Sequence, residues 1–83
     1  MALYELSMER SMDGKYFASY NRLPPEKNNA SFTTMATDSP YTAAQTIREK
    51  LRKIATASDQ FRVQNRSSIY DNINDALEDI LRS

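Results

Sequence analysis

Three carboxylates near the carboxyl end of the chain have a spacing that could support chemistry. Asp71, Asp75 and Glu78 follow one another at intervals of four and three residues, which would place them on one face of a helix. Two carboxylates held about 5–9.5 Å apart can carry out acid–base chemistry, as in glycosidases, and carboxylate oxygens also bind hard cations. The apolar residues of the same segment occupy the opposite helix face, however. We therefore expect the three carboxylates to be solvated and to hold no metal.

The side chains on which most enzymes depend are missing from the sequence. The 83 residues include no histidine and no cysteine, the residues that most often exchange protons or attack substrates near neutral pH. A single glycine is too few for a glycine-rich phosphate loop. A chain of this length also lacks the walls of a deep cleft. We therefore expect a protein that is not an enzyme and uses no cofactor.

The positive charge of the chain is concentrated in residues 48–66. This segment holds six basic and two acidic residues, whereas residues 67–83 hold four acidic and one basic residue. The basic side chains could neutralise phosphates, and the candidate nucleic-acid contacts are Arg48, Arg52, Lys53, Arg62 and Arg66. A net charge of zero and a pI near 6.2 argue against this function, because nucleic acid usually meets a strongly basic domain. Two adjacent helices could equally neutralise each other.

Tyrosines form a further group of candidate contact residues. Five tyrosines are many for so short a chain, and tyrosine is enriched at protein interfaces. Two of them fall at the first turns of the expected helices, where they could frame one end of the domain or close the edge of the core. The acidic residues could present negative charge to a basic partner protein, as an inhibitor that mimics phosphates would. The candidate partner-binding residues are Asp71, Asp75, Glu78, Tyr70 and Tyr41.

Two amphipathic strands open the chain, over residues 2–10 and 15–23. Apolar side chains alternate with polar ones in each, and Asp13-Gly14 between them is typical of a hairpin turn. A three-residue loop pairs Leu6 with Tyr20 and gathers the apolar residues on one face, whereas a two-residue loop shifts this pairing by one residue. The register thus favours the three-residue loop, with a left-handed glycine beside a bulge.

A loop, a third strand and a helix follow the hairpin. Consecutive prolines predict a loop over residues 24–29, and β-forming residues predict a strand over residues 30–36. Ser39-Pro40 predicts a helix start, because serine can cap and proline suits the first turn; a capping box at Thr42 would start the helix later. Apolar residues recur at spacings of three and four along this helix, which we expect to end near Ala57.

A short strand and a second helix complete the chain. Phe61 and Val63 alternate with polar residues over 60–65, which predicts the strand. Ser67-Ser68 would cap the second helix, in which Ile69 and four later apolar residues share one face. The order β-β-β-α-β-α predicts a small two-layer α+β domain. We expect an antiparallel sheet of three to four strands with both helices on one face.

The opening order β-β-β-α resembles that of HicB-type antitoxins and of the arm-binding domains of phage integrases. The resemblance rests on the order of the elements and carries no residue over. Small inhibitors and antitoxins of phage or mobile elements suit the length of the chain and its lack of catalytic residues.

The hydropathy of the sequence indicates where the protein is located, and its length indicates whether it associates with a partner. No stretch is long and apolar enough for a membrane span, and the first residues lack the pattern of a signal peptide. We therefore expect a single cytoplasmic domain over residues 1–83 that makes no membrane contact. Because so small a core is marginal, we expect a protein partner or self-association into a homo-oligomer to supplement it. Nucleic acid is the alternative partner.

Overall fold

The computed structural model describes residues 2–23 and 31–82, so the loop predicted over residues 24–29 lies outside the described residues. Within these ranges the chain forms a two-layer α+β domain, with a mixed five-stranded sheet and two helices. The strands are β1 (Leu3–Arg10), β2 (Tyr16–Leu23), β3 (Ser31–Thr33), β4 (Gln60–Val63) and β5 (Ile69–Tyr70), and the helices are α1 (Pro40–Ile54) and α2 (Ile73–Arg82). The predicted α+β class is confirmed.

The first two strands form the predicted hairpin. β1 and β2 are antiparallel, and Leu6 pairs with Tyr20, as the three-residue loop requires. Gly14 has a φ of 84°, a left-handed conformation that is accessible to a residue without Cβ. Its N–H donates to the carbonyl of Ser11 (3.0 Å), and the N–H of Ser11 donates to the carbonyl of Lys15 (2.7 Å). These two bonds close the turn and its bulge, so the predicted loop is confirmed.

The third strand ends at Thr33, earlier than the predicted range 30–36, because its regular pairing stops there; residue 30 of that range lies outside the described residues. The N–H of Thr34 donates to the carbonyl of Ala18 (2.8 Å). The N–H of Ala18 donates in turn to the side-chain hydroxyl of Thr34 (3.0 Å), which takes the place that a backbone carbonyl has in a regular ladder. A bulge follows, and Thr37 then returns to bridge Tyr16.

The first helix begins at the predicted cap and ends earlier than predicted. The hydroxyl of Ser39 accepts a hydrogen bond from the N–H of Tyr41 (3.2 Å), which satisfies one of the free donors of the first turn. The helix ends at Ile54 and not near Ala57, because the backbone of Ala55 is extended (φ −79°, ψ 148°). The chain turns there toward β4.

β4 lies next to β1 and runs parallel to it, which corrects the expectation of an antiparallel sheet. Leu3 pairs with Gln60 and Leu6 with Val63, and the strand predicted over residues 60–65 ends at Val63. β3 runs in the same direction as β1, because it is antiparallel to β2. Helix α1 then connects β3 to β4 as a crossover, which returns the chain to the opposite end of the sheet, so β4 starts in the direction of β1. The strand order is β3-β2-β1-β4-β5.

The second helix begins later than predicted, because a fifth strand precedes it. Ile69 and Tyr70 pair antiparallel with β4, and Ile69 is 51% exposed instead of contributing to an apolar helix face. Asn72 takes the capping role that the sequence assigned to Ser67-Ser68, since its side-chain oxygen accepts from the N–H of Asn74 (2.8 Å). The spacing of the isoleucines suits both a strand and a helix, and the pairing with β4 favours the strand.

The core lies between the helices and one face of the sheet. Tyr4 and Tyr20 are fully buried, and their rings meet edge to face with centroids 5.7 Å apart. Tyr4 also stacks on Phe61 at 5.8 Å, so aromatic contacts join β1 to both of its neighbours. Ile47 and Leu51 of α1 belong to the same buried cluster. Neither helix lies on the opposite face of the sheet.

Candidate functional site

The structure separates the three predicted carboxylates into two places. Asp75 lies in the first turn of α2 and Glu78 one turn further on, and both residues are exposed. Asp71 precedes the helix, and its carboxylate accepts a hydrogen bond from the side-chain amide of Gln60 (3.1 Å). The expected row of three on one helix face is therefore wrong, because β5 occupies the start of the predicted helix. Among residues 2–23 and 31–82, no group of three acidic side chains is arranged to hold a metal ion.

Tyr41 stands at the mouth of a groove between the two helices. Its side chain is 68% exposed, and it lines the groove together with Glu78, Leu81 and Arg82 of α2. The start of α1 therefore meets the last turn of α2, so the helices are antiparallel. The groove combines an exposed aromatic ring and a half-buried leucine with one acidic and one basic side chain.

Tyr70 lies beside the last turn of α2, on the side of the helix away from Tyr41. It belongs to β5 and not to the first turn of α2, and its hydroxyl donates to the carboxylate of Asp79 (2.8 Å). This hydrogen bond, followed by burial, raises the pKa of Tyr70 above its ordinary value. Arg82 lines both the groove at Tyr41 and the hollow at Tyr70. We call these contiguous residues the helix-end surface: Tyr41, Tyr70, Glu78, Leu81 and Arg82.

Asp79 is the residue of this region that the sequence reasoning did not identify. It is buried (7% exposed), and its carboxylate lies 3.1 Å from the guanidinium of Arg66 in addition to its bond with Tyr70. The two donors satisfy a charge that would be costly if it were buried alone, and they hold the segment before α2 against the helix. The available signal was the position of Asp79 between the apolar residues Leu77 and Ile80, at the margin of the apolar stripe.

The three predicted nucleic-acid contacts on α1, Arg48, Arg52 and Lys53, differ in whether a neighbouring side chain pairs with their positive charge. Arg48 donates from Nε to the side-chain oxygen of Asn74 (2.7 Å), which links α1 to the start of α2. The carboxylate of Glu49 lies 3.7 Å from both Arg48 and Arg52 and offsets part of their charge. Arg52 and Lys53 are exposed in the last turn of the helix.

The two predicted contacts beyond α1 lie elsewhere on the domain. Arg62 points to the face of the sheet away from the helices, since its neighbours in β4 are buried in the core. Its guanidinium is paired with Glu5 at 2.6 Å. Arg66 lies in the turn after β4 and is paired with Asp79. The five predicted contacts are thus distributed over both faces of the sheet and do not form one patch.

Comparison with protein families, with curated proteins and with solved structures finds no match for the chain. Neither α1 nor α2 is long and apolar enough to cross a lipid bilayer. The function is therefore argued from the helix-end surface, from the distribution of charge and from the edges of the sheet.

Proposed function

We propose that this chain is a non-enzymatic protein-binding module that regulates a partner protein by covering part of its surface. A small inhibitor or antitoxin-like protein of phage or mobile-element type would act in this way. The observation that carries the proposal is the side chain of Tyr41, which is 68% exposed beside Leu81 at the mouth of the interhelical groove. Tyrosine is one of the residues enriched at the centres of protein interfaces, where it packs beside apolar side chains.

The charges around this ring suit a polar rim. Glu78 and Arg82 border the groove, and Asp75 adds a second exposed carboxylate on α2. Arginine and tyrosine are the residues that most often dominate binding energy, whereas charged residues at the rim contribute mainly to association rate and specificity. The exposed carboxylates Asp75 and Glu78 favour a partner whose own contact surface is basic.

The helix-end surface is also held in place before binding. Tyr41 lies in a turn that is capped by Ser39, and Tyr70 is fixed by its bond to the buried Asp79. Side chains that are ordered in the free protein lose less conformational entropy when they bind. This arrangement supports binding through a rigid helix face.

The alternative, a nucleic-acid-binding domain, has weaker support. Phosphate binding needs several cations on one surface, whereas Arg62 faces away from the helices and is paired with Glu5. A gel-shift assay with single- and double-stranded DNA and RNA checks this. We expect no shift at about 0.15 M salt. A salt-dependent shift that is lost in an Arg48→Ala/Arg52→Ala variant would support the alternative and contradict our proposal.

The proposal is tested by affinity capture from the cells that produce the protein. The immobilised chain is compared with a Tyr41→Ala variant, and captured proteins are identified by mass spectrometry. The matched control is Ile69→Ala, because Ile69 is another exposed apolar residue (51%) but lies in β5 on the face away from the helices. We expect a protein that the wild type and the control retain and that Tyr41→Ala binds at least about tenfold more weakly.

Charge reversal separates the acidic contribution from the aromatic one. Glu78→Lys and Asp75→Lys should weaken binding of the captured protein, and raised salt should reduce the difference. Asp71→Lys serves as a comparison, because Asp71 precedes α2 and is bonded to Gln60. If Tyr41→Ala and Glu78→Lys both bind the partner as the wild type does, the helix-end surface is not the binding site.

A further inference from the structure

The β3 edge of the sheet is an uncharged segment in an exposed position. β3 is the outermost strand in the order β3-β2-β1-β4-β5, and residues 31–37 read Ser-Phe-Thr-Thr-Met-Ala-Thr, without a charge, a proline or a glycine. Natural sheets protect an edge with charged residues, proline, bulges or short strands, because unpaired backbone groups recruit further strands. β3 is short and is followed by a bulge, but it carries neither a charge nor a proline. A neutral, β-forming edge is therefore a candidate surface for strand pairing.

The hydrogen bonds of β2 determine which backbone groups of this edge are free to pair. Thr34 bonds through its N–H to Ala18, and antiparallel ladders alternate, so Phe32 is bonded toward Tyr20, its register partner. The N–H and carbonyl groups of Ser31 and Thr33 then point away from β2. These two residues present two donors and two acceptors along the outer side of the strand.

An apolar groove lies beside the same edge. It has a volume of about 440 Å³ and is lined by Phe32, Met35 and several threonines. Met35 is 87% exposed, and the ammonium of Lys50 lies 4.8 Å from the ring centroid of Phe32. An added strand would remove part of this apolar surface from water, which contributes favourable free energy in addition to the backbone hydrogen bonds.

The opposite edge of the sheet is less suited to pairing. β5 has two residues, Ile69 and Tyr70, and ends at Asp71. The side chain of Gln60 reaches from the neighbouring strand to Asp71, so a charge and a polar side chain border this edge. Within residues 2–23 and 31–82, the β3 edge is thus the longer of the two edges and has neutral side chains, whereas the β5 edge is bordered by the charge of Asp71.

We propose that two copies of this chain pair antiparallel through β3 and form one continuous sheet across a two-fold axis at Phe32. In this register Ser31 pairs with Thr33 of the partner copy, and Thr33 with its Ser31, so the outward groups form four backbone hydrogen bonds. The two Phe32 residues meet at the axis as a non-hydrogen-bonded pair, in which side chains approach most closely.

A second copy is the occupant that the edge itself favours. A two-fold pair brings identical residues together, which is unfavourable when they carry like charges. Residues 31–37 carry none, and Lys50, the cation that lies over Phe32, has an exposed side chain that can extend into solvent away from its copy. The domain is small, and self-association supplements a marginal core. The edge shares no residue with the helix-end surface, so the substitutions that test the dimer leave that surface unchanged, and the two proposals can fail independently.

The proposal is tested by sedimentation equilibrium over a wide concentration range. Because few residues pair, we expect a weak dimer whose dissociation constant is below about 1 mM. Thr33→Pro removes an outward N–H without removing a bond to β2, since proline is tolerated at such edge positions. Thr33→Lys adds a charge of the kind that blocks edge pairing. We expect both variants to dimerise at least about tenfold more weakly than the wild type.

Two matched controls show whether the loss is specific to the edge. Thr33→Val keeps the N–H and the branched side chain, and Gln45→Lys adds the same charge at an exposed position of α1 on the side that faces α2; both should dimerise as the wild type does. Circular dichroism should show that all variants are folded. A wild type that is monomeric up to about 1 mM, or a dimer that persists in both Thr33→Pro and Thr33→Lys, overturns the proposal.

Amide hydrogen exchange provides a second readout at the level of single residues. We expect the N–H of Thr33 to exchange rapidly in dilute protein and slowly in concentrated protein, whereas the N–H of Phe32 is protected at both concentrations. If the Thr33 amide exchanges rapidly in the dimer, the pairing is not through β3. If it becomes protected only when a captured partner protein is added, the edge takes a foreign strand, and the two-copy proposal is wrong.

Discussion

Neutralising Asp59 should destabilise the protein by removing a buried contact between two distant parts of the chain. Asp59 is 6% exposed, and its two carboxylate oxygens accept hydrogen bonds from the N–H of Ala2 (2.8 Å) and from the N–H of Thr56 (2.9 Å). The carboxylate thereby ties the start of β1 to the turn between α1 and β4. Asp59→Asn retains the size of the side chain but leaves one oxygen where two are needed.

The expected magnitude follows from the N–H group that loses its acceptor. A buried donor without a partner costs about 1–3 kcal/mol, so we expect Asp59→Asn to lower the free energy of unfolding by about 2 kcal/mol at neutral pH. Small domains have unfolding free energies at the low end of about 5–15 kcal/mol, so the effect is easily measured. Urea unfolding followed by circular dichroism provides the value. The control is Asp38→Asn, because the side chain of Asp38 is 93% exposed.

The pH dependence of this difference distinguishes the charge from the shape of the side chain. Burial alone opposes the charged form of Asp59, but the N–H groups of Thr56 and Ala2 outweigh burial and lower its pKa below the ordinary value of 3.8. A lowered pKa means that the carboxylate stabilises the fold above pH 3.8 and that this contribution is lost as the pH falls through the folded-state pKa. The gap between wild type and Asp59→Asn should therefore narrow as the medium is acidified. A gap below about 0.5 kcal/mol at neutral pH, or one that widens in acid, would refute this reasoning.

Three further experiments test the core, the hairpin turn and the buried carboxylate of α2. Tyr4→Ala removes a fully buried ring that contacts two others and should cost about 3–5 kcal/mol; a fall in the unfolding free energy of under about 1 kcal/mol would show that the aromatic cluster is not the centre of the core. Gly14→Ala should lower the free energy of unfolding in urea by about 1 kcal/mol, because the φ of 84° is unfavourable for alanine. We expect no added steric cost, because the new Cβ would meet the guanidinium of Arg10 at 3.6 Å, an ordinary contact. An unchanged midpoint would contradict the left-handed assignment. A double-mutant cycle of Arg66→Ala and Asp79→Asn should give a coupling of about 1 kcal/mol, and strictly additive effects would mean that the 3.1 Å contact contributes nothing.

Local sequence was sufficient for the features that near neighbours in the chain enforce. The single glycine fits the one position of the hairpin loop that needs a left-handed backbone, and the alternation of apolar residues then leaves one register. The first helix begins where Ser39 offers a hydroxyl to a free N–H. These choices depend on residues within a few positions of each other, so propensity and periodicity describe them well. The same holds for the α+β class, which follows from the succession of two-residue and helical periods.

Features that depend on partners from distant parts of the chain were not accessible in this way. Ile69 and Tyr70 fit a helical pattern, but hydrogen bonds to β4 are available to them only after α1 has brought that strand beside β1. Asp71 therefore lies before α2 and not on its acidic face, and the hydroxyl of Tyr70 donates to Asp79. Pairing energies of this kind arise from contacts between residues far apart in sequence, and a pattern within one segment carries no information about them.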